Sequence, residues 1–179
     1  MTDTDKDELL LEKARSGNQD AFLLLFQRHR SPLFRFLYRL LGSAEIAEDI
    51  AHDCFLSLIR ASEKSSSSAQ ASLRTRLYST ARTRAMEYLE NSNVMEVEAT
   101  QDESDNQAHG GKLVSEVAEG IASLPALERE ALILSEYEGL ELDEIAAIVG
   151  ADVRTVAERR ESAHQRLRNV LANHLSGNQ

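Results

Sequence analysis

Apolar residues recur along this chain with the 3.6-residue period of amphipathic helices, and polar stretches divide them into blocks. Leu9, Leu10 and Ala14 fall on one side of a short helix predicted over residues 7–16. A longer helix is predicted from Ala21 to about Leu41, with Phe22, Leu25, Phe26, Leu33, Phe36, Leu37 and Leu40 apolar and Asn18 or Asp20 as its cap. Pro32 lies inside that run, where it either kinks the helix or marks a first turn after Ser31, and Gly42 suits its end. Ser43 caps a third helix in which Ile46, Ile50, Cys54 and Leu58 repeat every four residues. A fourth, from about Leu73 to Leu89, repeats Leu73, Leu77, Ala81, Ala85 and Leu89. Residues 61–72, with serines at 65–68, read as a loop between these two.

Residues 91–112 are polar, acidic and end in Gly110-Gly111-Lys112, a composition that buries little apolar surface and predicts a flexible linker. It separates an N-terminal helical domain, residues 1–90, from a C-terminal one, residues 113–179. In the latter Val114, Val117, Ile121 and Leu124 have helical spacing, and Pro125 opens a further helix reaching Leu134. Gly139 breaks the pattern. Two more helices follow, Leu142–Val149 and about Val153–Leu175, joined by Gly150-Ala151-Asp152. The predicted fold is all-α: two small helical domains joined by a flexible acidic linker.

The segment from Leu142 to Val156 has the steric pattern of a helix-turn-helix. Ala146 is small where two helices cross closely, Gly150 suits the positive φ of a sharp turn, and Asp152 is placed to cap the second helix. Ile145, Val149, Val153 and Val156 are expected to fill the space between the helices. In such a unit the N-terminal residues of the second helix enter the major groove. Here they are Arg154, Thr155, Glu158, Arg159 and Ser162. Arginine reads guanine bidentately and glutamate accepts from cytosine N4. The same spacing also fits a plain helical hairpin.

Composition narrows the classes. The 179 residues are 42% hydrophobic and 5% aromatic, with no Trp and a single Cys, which excludes a disulfide framework or a cysteine zinc site. No apolar run approaches the ~18 residues of a membrane span, and the acidic N-terminus has no signal-peptide core, so a cytoplasmic protein is expected. No nucleophile–base pair, phosphate-binding glycine loop or metal cluster is recognisable, so neither an enzyme nor a cofactor is expected. The net charge of −10 argues against nucleic acid, but its distribution does not. Residues 61–90 and 151–179 each carry +2 and residues 21–60 carry +1, whereas 91–120 and 121–150 each carry −6 and residues 1–20 carry −3. Screening beyond ~8–10 Å makes the local balance the relevant one.

Several stretches taken together resemble the extracytoplasmic-function sigma factors of RNA polymerase. In the C-terminal half these are Ile121 to Leu134, Glu138-Gly-Leu140, Asp143-Glu-Ile-Ala146, Thr155-Val156 and Arg166-Leu-Arg168. In the N-terminal half they are Asp20-Ala-Phe22, Leu40-Leu-Gly42, Ala47-Glu-Asp-Ile50, Asp53-Cys-Phe55, and the helix containing Ala81-Arg82 and Arg84-Ala85. The resemblance implies a promoter-specificity subunit without catalytic residues. Its first domain would bind the clamp helices of core polymerase and open the −10 element, and its second would sit on the polymerase flap and read the −35 element. By position, Glu48, Asp49, His52 and Asp53 match the core-binding surface, and Arg74, Arg76, Arg82, Arg84 and Glu87 the −10 helix. The bland alternatives are that Glu48 and Asp49 only complement their helix N-terminus and that the arginines are a solvated face.

The chain departs from the family pattern in places. Arg76 stands where Trp is usual, Thr83 where Asn is common, and Glu90-Asn91 replaces a basic pair. Stacking of single-stranded bases is then left to Tyr78, Tyr88 or arginine planes. The second helix of the helix-turn-helix is poor in Lys and Arg, and Arg160 stands in its apolar row, its stem expected to lie across the helix. His29, His109 and His174 have no ligand spacing and are expected at the surface; Cys54 is expected in the core. Two further readings stay open: a sigma-like decoy that binds polymerase or an anti-sigma factor without opening promoters, and a free-standing helix-turn-helix regulator. Family resemblance implies control by an anti-sigma partner; packing within the chain itself is the other route.

Overall fold

The computed structural model describes residues 3–60, 71–91 and 111–176, with side chains described for 6–60, 71–91 and 115–172. Helix α1, Asp3–Arg15, begins earlier than its apolar pattern suggests. Its inward stripe is Asp7, Leu11 and Ala14, spaced i, i+4, i+7, while Leu9 is 40% exposed, contrary to expectation. Helix α2, Gln19–Leu41, is capped by Asn18, whose Oδ1 accepts the Ala21 N–H at 2.9 Å. Of the two predicted effects of Pro32, a helix start after Ser31 does not occur: α2 runs without a break through it. Pro32 removes one helical donor, and the wholly buried Leu33, Phe36, Leu37 and Leu40 that follow offset that loss by packing. Gly42, at φ +74, ends α2 with its N–H on the Tyr38 carbonyl at 2.8 Å.

Helix α3 spans Ala44–Arg60 and helix α4 Leu73–Asn91. Ser43 caps the first, its Oγ 3.4 Å from the Ile46 nitrogen, and Ser72 the second, at 3.1 Å from the Thr75 nitrogen. Ser72 ends the predicted loop; residues 61–70 of that loop lie outside the described residues. Helix α2 contacts α1, α3 and α4, so it forms the centre of the N-terminal half.

Helix α5 spans Gly111–Ala122, so both ends of the predicted linker, Asn91 and residues 111–112, are helical; 92–110 lie outside the described residues. Helix α6, Ala126–Leu132, runs straight into a π-helical turn, Ile133–Tyr137. This widened turn was not foreseen. It places Ile133 and Leu134, adjacent in sequence, both at zero exposure, and the Glu138 N–H bonds to the Ile133 carbonyl at 3.1 Å. Helices α7, Leu142–Val149, and α8, Val153–Ser176, complete the fold. A small core of Ile121, Leu124, Leu132 and Ala163 lies within the C-terminal half. The larger core is continuous across both halves: Phe36, Leu37 and Tyr78 share it with Ile133, Leu134, Leu140, Ile145, Val149 and Val156.

Candidate nucleic-acid interface

The turn between α7 and α8 is built as its residue types predict. Ala146 is buried, and Gly150 at φ +66 donates its N–H to the Ala146 carbonyl at 3.0 Å. Asp152 caps α8: its Oδ1 accepts the Thr155 N–H and its Oδ2 the Thr155 hydroxyl, both at 2.8 Å. These bonds hold the Asp152 carboxyl below the usual carboxylate range. Val153 departs from expectation. It is 45% exposed, because the inward row of α8 starts one turn later at Val156 and continues at Ala163. Ile145, Ile148 and Val149 supply the α7 side of the packing.

The five predicted base-reading residues do not share one state. Arg154 and Glu158 are at the surface and pair with each other, Nε to Oε1, at 2.9 Å. Thr155 is committed to the cap. Ser162 is half-buried and donates to Glu128 at 3.1 Å. Arg159, expected to be exposed, is half-buried and sits close enough to Glu130 to act on its carboxyl. Arg160, on the neighbouring position, is half-buried as its predicted stem packing requires.

On α4 every predicted arginine has a protein acceptor. Arg74 donates to the Glu138 carbonyl at 2.6 Å and lies 5.6 Å from the Tyr78 ring centre. Arg76 donates to both carboxylate oxygens of Glu8, at 2.7 and 2.5 Å. Arg82 donates from Nε to Glu130 at 2.9 Å, and Arg84 bonds Asp53 at 3.1 Å and Ser57 at 2.8 Å. Glu87 is exposed. Tyr78, expected to offer a stacking face, is 1% exposed; its hydroxyl donates to Glu138 Oε2 at 2.6 Å, and burial raises its pKa. Tyr88 is half-buried. At the start of α4 an open cleft of 530 Å³ lies between Arg28, Pro32, Arg74 and Tyr78.

Glu130 was not singled out by sequence. It has zero exposure, and burial pushes its carboxyl pKa up against the opposing pull of Arg82 and Arg159. A signal existed: it is a charge set between Leu127 and Ile133-Leu134, inside an apolar row.

On α3, Glu48, Asp49, His52 and Asp53 are all exposed, and their i, i+1, i+4, i+5 spacing puts them on one face. Glu48 pairs with Arg30 at 2.6 Å and Asp53 with Arg84. Cys54 points the other way, 1% exposed, its thiol pushed up to about 12 by burial. His29 is not a bare surface residue. It and Arg28 both engage the buried Asp7, the histidine Nε2 lying 2.7 Å from Oδ2. His109 and the His174 side chain lie outside the description. Among the described residues no group of three metal-binding side chains converges, and no helix is long and apolar enough to cross a membrane.

Comparison with known proteins supplies the family. Residues 25–93 match the sigma-70 region 2 family and residues 115–167 the sigma-70 region 4 family. The chain is 30% identical over 188 residues to the ECF RNA polymerase sigma-E factor of Escherichia coli, covering 96% of this chain and 97% of that one. It is 28% identical over 171 residues to the RNA polymerase sigma factor CarQ of Myxococcus xanthus, covering 90% and 95%. Its fold is like that of CnrH, solved with the cytosolic domain of CnrY, at a TM-score of 0.71 and 21% identity over 94% of this chain and 98% of that one. It is also like the sigma factor RpoE of Bartonella quintana, solved with the anti-sigma factor NepR, at 0.66 and 21% over 84% and 96%. With region 2 and region 4 in order and a 30% identical relative matched nearly end to end, this chain belongs to the ECF RNA polymerase sigma factors, which recognise promoters for RNA polymerase.

Proposed function

We propose the following division of labour along the chain. The acidic face of α3, with Glu48, Asp49, His52 and Asp53, docks on the clamp helices of core polymerase. Helix α4, through Arg74, Arg76, Arg82 and Arg84 with Glu87 at its margin, engages the −10 element. The C-terminal unit sits on the flap, and α8, through Arg154, Glu158 and their neighbours Thr155, Arg159 and Ser162, reads the −35 element. The protein works in the cytoplasm, needs no cofactor and catalyses no reaction of its own. Units 1–90 and 113–179 carry the two promoter contacts, joined by residues 91–112.

The observation that supports this best is a pair of exposed surfaces of opposite use in one chain. Opposite-charge docking rewards an acidic face such as that of α3. A capped helix presenting an arginine and a glutamate at its first turns is the arrangement that reads base edges in the major groove. Two relatives of like fold were solved with proteins of stated kind, one with an anti-sigma factor and one with CnrY. An anti-sigma factor that covers the same helices is accordingly the proposed regulator.

Run-off transcription from genomic fragments with purified core polymerase tests the reading. Discrete start sites that depend on this protein, with shared upstream elements, are the expected result. The decoy reading draws on one observation, that all four α4 arginines already have protein acceptors; it predicts binding to core with no new transcript.

A further inference from the structure

Resting on the sigma-factor reading above, we infer that the free chain masks its own −10 helix: the α6–α7 segment docks on α4 with carboxylate and carbonyl groups standing where DNA phosphates would go, while the polymerase-docking face of α3 stays open.

Five polar contacts cross the seam between the two halves. Arg82 of α4 is held by Glu130 at 2.9 Å, Arg74 by the Glu138 carbonyl at 2.6 Å, and the Tyr78 hydroxyl by the Glu138 carboxylate at 2.6 Å. Arg129 reaches the Leu40 carbonyl near the end of α2 at 2.9 Å, and Arg39 stacks 4.2 Å from the Tyr137 ring centre. Charge runs the same way at lower resolution. Residues 121–150 carry −6 and meet the helix of a block that carries +2. Beneath these contacts Ile133, Leu134 and Ile145, all fully buried, enter the core that holds Phe36 and Tyr78. Arg74, Arg82 and the Tyr78 ring are covered in this way, whereas Arg76 and Arg84 are held within the N-terminal half by Glu8 and by Asp53 and Ser57.

The seam also has the chemistry of something that opens. Glu130 Oε2 and Arg129 Nε are buried without a partner, so closure leaves polar groups imperfectly satisfied. Burial of a charged pair is costly unless every lone pair and proton is met, so the polar contacts of the seam oppose part of what its apolar core contributes. A phosphate is an anionic acceptor for a guanidinium just as a carboxylate is. Promoter DNA and the Glu130–Glu138 segment therefore compete for Arg74 and Arg82. By contrast Glu48, Asp49 and His52 are exposed in the closed form, so polymerase docking and exposure of α4 are separable steps.

The test is arginine-selective labelling of the full-length protein with phenylglyoxal, read by peptide mass spectrometry. Arg154, exposed in the same molecule, is the internal standard. In the wild-type chain Arg74 and Arg82 should label at least about tenfold more slowly than Arg154, and Glu130→Lys should bring them close to its rate. Because Glu130→Lys also loads the C-terminal core, Tyr137→Ala, at an exposed position on the seam, provides a milder opening and should give an intermediate rate. Small-angle scattering gives a second reading: the closed wild-type chain should approach the radius of gyration of about 16 Å of a compact 179-residue globule. Arg82 labelling as fast as Arg154 in the wild-type chain, or an extended scattering profile, overturns the inference. A core-polymerase pull-down separates the two failures. Loss of core binding by the wild-type chain sinks the sigma reading, whereas core binding together with fast Arg82 labelling sinks the masking alone.

Discussion

Arg82 of α4 donates to Glu130 of α6 at 2.9 Å, and the carboxylate it meets has no exposure to solvent. One residue comes from each half of the chain, so this pair ties the ionisation of a single side chain to the packing of the halves. Burial, the largest influence, raises the Glu130 pKa above its ordinary 4.5, against the pull of Arg82 from α4 and Arg159 from α8. A carboxyl raised in the packed state favours that state when protonated. The stabilisation is complete below the ordinary value and is lost as pH climbs through the raised one. The urea-unfolding midpoint should therefore fall as pH rises across that window. In Glu130→Gln, which cannot titrate, this part of the fall should disappear.

Asp7 anchors α1 in a different way. It is 6% exposed and takes both Arg28 and His29 from α2. Asp7→Ala leaves two donors without their acceptor, although Arg28, 43% exposed at its side chain, can turn to water. The expected loss is about 1–3 kcal/mol, the cost of leaving a buried hydrogen-bonding partner unsatisfied. Urea unfolding measures it, and Asp7→Asn should recover part. An unchanged midpoint in Asp7→Ala would show that α1 is not held by this residue.

Gly150 isolates backbone strain from packing. Its φ is +66, and a Cβ added there meets nothing within 4 Å. Gly150→Ala should therefore cost only the left-handed penalty of an L-residue, ~1–2 kcal/mol. Gly150→Asn should cost less, since Asn tolerates that region. A loss well above this in thermal unfolding would mean that the α7–α8 turn carries a contact beyond those described.

The helices and the turn were legible because each has a local cause. Asn18, Gly42, Ser43, Gly150 and Asp152 do the capping and turning that their residue types favour, and spacing alone identified most of the core. What was not legible is pairing between distant segments. Nothing near Arg74 or Arg82 in sequence indicates that Glu138 and Glu130 will meet them, so these two arginines lie against the other half of the chain. Val153 and Leu9 were misplaced for a smaller reason: a helical stripe that is one residue out of register still looks periodic. The π-helical turn at 133–137 widens the helix by one residue per turn, which a 3.6 period does not encode. Sequence placed the candidate residues on their helices and left their partners unread.

Asp49 separates docking from folding. It is exposed on α3 beside Glu48 and His52. Asp49→Lys should leave thermal stability within about 0.5 kcal/mol, as surface changes usually do. It should weaken association with core polymerase mainly through a slower on-rate, and the difference from wild type should shrink as salt is raised. Equal association rates at low salt would remove this face from the polymerase interface.

Arg154 and Glu158 divide recognition from non-specific grip on the −35 side. They are paired at 2.9 Å in the free protein, with side-chain exposures of 88% and 64%. An exposed pair of this kind adds little stability, so breaking it has little structural effect. If Arg154 reads a guanine bidentately, Arg154→Ala should lose about 1–3 kcal/mol at the preferred base and much less at a substituted one, flattening specificity there. Glu158→Ala should relax a neighbouring position by accepting bases other than cytosine. Holoenzyme binding to a promoter library with the −35 positions randomised measures both effects. A uniform loss across all sequences, with a shallower salt dependence, would instead make Arg154 a phosphate contact.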